Sequence, residues 1–153
     1  MPARYEMATS VKGAFADVKT RVVDALKAQG FGVLTEIDVQ KTLKEKLGAE
    51  MEPYIILGAC NPQLARQALD ADRSIGLLLP CNVVLRQGNG NVQVSILDPR
   101  TMFEVVDTQT QADLAGLPEE ARARLQAALR SLGDPQEAVR EGAKAALIEP
   151  MMR

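Results

Sequence analysis

Two cysteines and no histidine set the chemistry open to this chain of 153 residues. Cys60 stands in Ala59-Cys60-Asn61-Pro62 and Cys81 in Leu79-Pro80-Cys81-Asn82. A thiolate is a nucleophile, a redox centre and a ligand for soft metals such as copper(I). Asn61-Pro62 reads as a helix start, because Asn caps and Pro fits the first turn, where its missing N–H is not needed. Cys60 therefore ends a strand just ahead of a helix N-terminus. Free N–H groups and about half a positive charge gather there and favour a thiolate. On that basis its pKa is expected to fall below the ~8.5 of a free cysteine, and its thiol to outreact Cys81. Cys81 follows a proline that breaks an apolar strand, and such a break can turn a side chain toward a cleft. The competing reading of each cysteine is a small apolar filler.

The two asparagines that follow the cysteines complete the candidate site. Asn61 is explained as a cap. Asn82 is a polar residue in an apolar strand and needs a partner, either a neighbouring backbone or a ligand. The candidate ligand-binding set is thus Cys60, Asn61, Cys81 and Asn82, and any bound metal would fall to Cys60 and Cys81. Their spacing is far from Cys-x-x-Cys, and a disulfide would need Cα atoms within ~7 Å. Without histidine, the commonest general base and metal ligand are both missing, so a Ser-His-Asp or Cys-His machine cannot be built. No cofactor is expected and no catalytic residue is assigned. The Lys41 and Lys44-Glu45-Lys46 region reads as a solvated helix face rather than an anion site.

The elements that must hold these residues follow from periodicity and turn chemistry. Tyr5 to Thr9 is a weak first strand. Ala14 to Gln29 is a helix with Phe15, Val18, Val22 and Leu26 on one face, stopped at Gly30. Phe31 to Ile37 is a strand. Asp38 caps a short helix with Val39, Leu43 and Leu47 on one face, ending at Gly48. Tyr54 to Ala59 is a strand, followed by a helix to about Ala71. Ser74 to Arg86 reads as one long apolar strand interrupted by Pro80. Gln87 to Asn91 is a hairpin turn, and Val92 to Leu97 alternates as its half-buried partner strand. Beyond Asp98-Pro99, Thr101 to Asp107 leans to helix, 108–116 is a polar linker, and helices follow from Pro118 to Leu132 and from Asp134 to Ile148. The order predicts an α+β fold, a mainly antiparallel sheet with helices packed on one face, plus C-terminal helices. The expected organisation is an α+β domain over 1–107 and a helical extension over 108–153, packed on it or on a partner.

Composition narrows the function classes. Hydrophobic residues make up 46% and charged residues 25% of the chain, a globular mixture. Aromatics are only 3% and the net charge is −2, so neither base stacking nor a basic footprint points to nucleic acid. The apolar runs fall well short of the ~20 residues that span a bilayer, and the first residues lack an apolar signal region. A cytoplasmic protein with free thiols is expected.

Three segments, Gly30 to Asp38 running on to Gly48, Leu57-Gly-Ala-Cys-Asn-Pro62, and Gly76-Leu-Leu-Leu-Pro-Cys-Asn82, together resemble the domain of unknown function 302 family, over about residues 5–107. The resemblance implies a small α+β fold and a homodimer, and no assigned reaction. A dimer also agrees with apolar stripes on the helices of 118–148, which one small sheet need not cover. Three function classes follow. The favoured one is a dimeric binding or sensing protein, with a cysteine-lined pocket for a small thiol-reactive molecule or soft metal. The others are a redox or sulfur-transfer enzyme using Cys60, and an interaction module in which the cysteines are structural. Binding is favoured over catalysis.

Overall fold

The computed structural model describes residues 3–133. Five strands form one sheet: β1 (Glu6–Lys12), β2 (Gly32–Asp38), β3 (Tyr54–Cys60), β4 (Cys81–Gln87) and β5 (Asn91–Leu97). Their spatial order is β1-β5-β4-β3-β2, and every neighbouring pair is antiparallel. The fold is α+β, as the order of elements predicts. Among the described residues six α-helices accompany the sheet: α1 (Phe15–Ala28), α2 (Val39–Leu47), α3 (Pro62–Ala71), α4 (Pro99–Met102), α5 (Thr108–Asp113) and α6 (Leu117–Ser131).

The two edge strands, β1 and β2, are consecutive in the chain, so α1 must cross the sheet to join them. It does so on an apolar face: Val18, Val22 and Leu26 are all buried, at the spacing read from the sequence. Lys19 Nζ meets Glu36 in β2 at 2.7 Å and ties the crossing helix to the far edge. Helix α6 packs against α1, α4 and β1, and buries Leu117, Ala121, Leu125, Ala128 and Leu129. Its apolar stripe is therefore covered by the chain itself. The helix expected from Asp134 to Ile148 lies outside the described residues.

Strand alternation decides which residues the helices cover. In β4, Cys81, Val83 and Leu85 are buried while Asn82 and Arg86 are exposed. In β5, Val92, Val94 and Ile96 are buried, and the residues between them are half-exposed. The β4–β5 hairpin turns where predicted, through Gly88 and Gly90, the latter at φ +77°, which costs glycine nothing. One side of the sheet thus faces the core and the other faces water.

Three local expectations change. The apolar run after Ser74 is not strand: Arg73–Leu78 is a 3-10 helix, opened by Asp72, whose carboxylate accepts the Ser74 N–H at 2.9 Å. Only Ile75 of that segment is buried, and β4 begins at Cys81, after a cis Leu79–Pro80 bond. The linker after Asp107 contains a short helix, α5. Helix α2, expected to turn Val39, Leu43 and Leu47 to one face, buries none of its residues, and Leu47 is exposed.

Candidate functional site

The sequence-predicted residues fall into two regions on opposite sides of the sheet. The first is a corner where β3 ends, β4 begins and α3 starts. Asn61 caps α3: its Oδ1 accepts the Leu64 N–H at 3.1 Å, and its side chain is buried beside Gly30. Gly30 is at φ +85°, and a Cβ there would stand 3.0 Å from Asn61 Nδ2 and 3.3 Å from an Arg124 guanidinium nitrogen. Glycine is thus needed both for the turn and for the close approach. In β3, Gly58 lets Thr35 and Pro80 approach closely, because any Cβ there would collide with both.

Cys60, Asn61 and Cys81 line one small cavity here, together with Phe31, Leu64, Met102 and Phe103. Its volume is about 50 Å³, against the ~300–1,000 Å³ usual for ligand pockets. The register sets Cys81 opposite Ala59, not Cys60, and both cysteines are free thiols. Burial raises the pKa of Cys60, contrary to the fall expected from its place ahead of a helix. The physical reason lies in the cap: Asn61 takes the Leu64 N–H, and Cys60, one residue earlier, receives desolvation without a donor. Burial, with the charges of Cys60 and Asp98 acting in the same direction, pushes Cys81 up to about 11. Both thiols therefore hold their protons at neutral pH.

Asp98 immediately precedes Pro99, one of the residues lining this corner. Its carboxylate accepts from Arg100 at 3.1 Å and Arg122 at 3.2 Å, so it links the end of β5 to α4 and α6. Burial alone would raise its pKa, but the hydrogen bonds from Arg100 and Arg122 hold it below the usual value. Among the described residues, no group of three or more His, Cys, Asp or Glu side chains is placed to hold a metal ion.

Asn82 is the predicted residue that the structure sets apart. One position beyond Cys81, it turns to the open face and lines a cleft of about 340 Å³. Tyr5, Glu6, Tyr54, Val84, Arg86, Ser95 and Leu97 share the wall. The register explains the grouping. Arg86 lies opposite Tyr54 on one side and Gln93 on the other, Val84 opposite Ser95, and Glu6 opposite Leu97. Ser95 Oγ donates to one oxygen of Glu6, and the Ala3 N–H donates to the other at 3.0 Å. The Ser95 bond first, then the Ala3 bond and the field of Arg86, hold the Glu6 carboxyl below its ordinary pKa. Glu6, Arg86 and Ser95 escape a reading of the sequence. The alternation in β4 and β5 carries part of the signal, since it sets Arg86 and Ser95 on the face of Asn82.

The family model described as "domain of unknown function DUF302" matches residues 7–132. The chain belongs to that family. The match runs past the 5–107 read from the three motifs and takes in α6. The crystal structure of an uncharacterized conserved protein DUF302 from Bacillus stearothermophilus is similar to this chain, with 29% identity and a TM-score of 0.74. The alignment covers 85% of this chain and 99% of that one. A comparison with curated proteins found no match. No helix among the described residues is long and apolar enough to cross a membrane.

Proposed function

We propose that this member of the DUF302 family is a small binding protein, and that its ligand seats in the open-face cleft rather than among the cysteines. The cleft carries the reading: about 340 Å³ of space whose wall holds a carboxylate, a guanidinium and an amide around an apolar floor. The cysteine corner offers about 50 Å³ and two protonated thiols, which weighs against a soft-metal or thiol-reactive ligand at Cys60 and Cys81. The same protonation weighs against redox or sulfur-transfer catalysis at Cys60. A cytoplasmic homodimer that leaves nucleic acid alone completes the proposal. The family resemblance supports the dimer, as do Leu34 and Ile37, two large apolar residues exposed on the edge strand β2. Light scattering tests it.

The binding reading is tested by thermal melts against a panel of small polar metabolites, on the native chain and on Val84→Trp, which fills the cleft. A binder is expected to raise the Tm of the native chain and to leave Val84→Trp unmoved. A binder that stabilises both equally sets the site elsewhere and overturns the reading.

A further inference from the structure

Glu6 and Arg86 are opposite charges that share one cleft and do not pair. Among the described residues, Arg86 makes no ion pair and no side-chain hydrogen bond, although it stands close enough to influence Glu6. Glu6 is held differently. Each of its oxygens already accepts one bond, from Ser95 and from the Ala3 N–H, so the carboxylate is oriented and still has lone pairs to spare. β5 separates the two strands that carry them, and Glu6 lies level with Leu97 while Arg86 lies level with Gln93. Their backbones are therefore roughly 10 Å apart across the sheet and roughly 14 Å apart along it. Val84 and Leu97 floor the space between them, and Tyr54 flanks Arg86. A cleft with a fixed anion at one end, an unpaired planar cation at the other and an apolar middle is complementary to one kind of molecule.

We propose that the cleft binds a small linear zwitterion, its ammonium on Glu6 and its carboxylate on Arg86. A guanidinium grips a carboxylate through two parallel N–H bonds, and an ammonium donates well to an oriented carboxylate. The placement of the two charges at opposite ends of the cleft favours a molecule whose own charges stand apart over an α-amino acid, whose charges share one carbon. It fits an ω-amino acid or a dipeptide, which present the same two end groups. Asn82 lies level with Leu97 and so at the Glu6 end, across β5 from the carboxylate, where it can accept from or donate to the peptide link next to a dipeptide's ammonium, so dipeptides are the better fit if Asn82 contributes.

The inference rests on the binding role proposed for this cleft, and the test separates the two. Amide chemical shifts are followed by NMR while glycine, 4-aminobutyrate, 6-aminohexanoate and glycylglycine are added, with n-butylamine and butyrate as single-charge controls. Shifts clustered on β1, β4 and β5 are expected for the longer zwitterions, with affinity at least tenfold above either control and above glycine. Glu6→Gln and Arg86→Gln, checked for unchanged melting, are each expected to remove that tenfold preference. A stronger response to glycylglycine than to 6-aminohexanoate, lost in Asn82→Ala, assigns the dipeptide; the reverse assigns the ω-amino acid. Butyrate or butylamine binding as tightly as the zwitterions overturns the ligand class but leaves the cleft a binding site. No shift in the cleft with any zwitterion overturns the inference, and if the metabolite panel is silent there as well, the binding role falls with it.

Discussion

Cys81 and Asn82 are consecutive residues of one strand, yet they belong to different environments. Cys81 points into a core sealed by α1, α3 and α6, and its thiol is pushed up to about 11 by burial. Asn82 points the other way, onto an open sheet face where Glu6 keeps its charge and Arg86 stands unpaired. The covered side removes water and quiets the groups it holds. The open side keeps water and lets charged groups stay charged. Residue type alone draws attention to the cysteines, because a thiol is the more reactive group. The pleat of the strand reverses that ranking.

The contrast predicts its largest effect one turn of the pleat further along β4. Leu85 is 0% exposed and packed on the helices, whereas Val84 is half-buried on the cleft floor. Leu85→Ala is expected to cost about 2–5 kcal/mol, since it opens a cavity that the core cannot close. Val84→Ala is expected to cost less than about 1 kcal/mol, because water already reaches that side. Urea unfolding of both variants measures this. Equal losses at the two positions would mean that the two faces do not differ as described.

A second effect appears only at alkaline pH. The folded chain holds the Cys81 proton up to about 11, against an ordinary 9.0. Between those values the unfolded chain gives up the proton first, so stability is full below pH 9 and declines as pH rises toward 11. The decline amounts to about 2–3 kcal/mol. Cys81→Ala removes this contribution, and Asn82→Ala leaves it in place. The difference between wild type and Cys81→Ala, measured by urea midpoints from pH 8 to 11, isolates it from every other pH-dependent contribution. A difference that stays constant with pH would contradict the buried thiol.

Much of this architecture was legible because it is local. The hairpin is written in Gly88, Gly90 and the alternation of Val92, Val94 and Ile96. The crossing helix is written in the spacing of Val18, Val22 and Leu26. The departure of Ser74 to Leu78 from the expected strand has an equally local cause: an apolar run carries no period, and the Asp72 carboxylate that opens the 3-10 helix stands outside the run. The cleft was barely legible for a different reason. Asn82 announces itself as a polar residue in an apolar strand, but Glu6 joins it only because β1 pairs with β5 at the far end of the domain. Pairing between strands so distant in the chain leaves no trace in either strand's own pattern. The corner was legible in position and not in chemistry. Asn61-Pro62 marks the helix start, yet whether the terminus serves the thiol or the cap depends on which group takes the Leu64 N–H.

That last point yields the smallest effect. Cys60 is half-buried and its pKa is raised by burial, while Asn61 satisfies the helix terminus that would otherwise have lowered it. Its reaction with iodoacetamide at pH 7 is therefore expected to be slower than that of a free cysteine in a short peptide, and to accelerate about tenfold per pH unit as the thiolate fraction grows. Cys81 is expected to label only on unfolding. Cys60→Ser should change stability by less than about 1 kcal/mol, since a partly exposed hydroxyl still reaches water. Asn61→Ala sharpens the measurement. It frees the Leu64 N–H at a cost of about 1 kcal/mol. If the cap is what keeps the helix terminus from the thiol, Cys60 in that variant should label faster than in the native chain. Labelling rates read by mass spectrometry decide between the two regions. A native Cys60 that outpaces the free peptide at pH 7 would return the chemistry to the cysteine corner, because a thiolate formed there despite burial requires a donor that the cap does not consume.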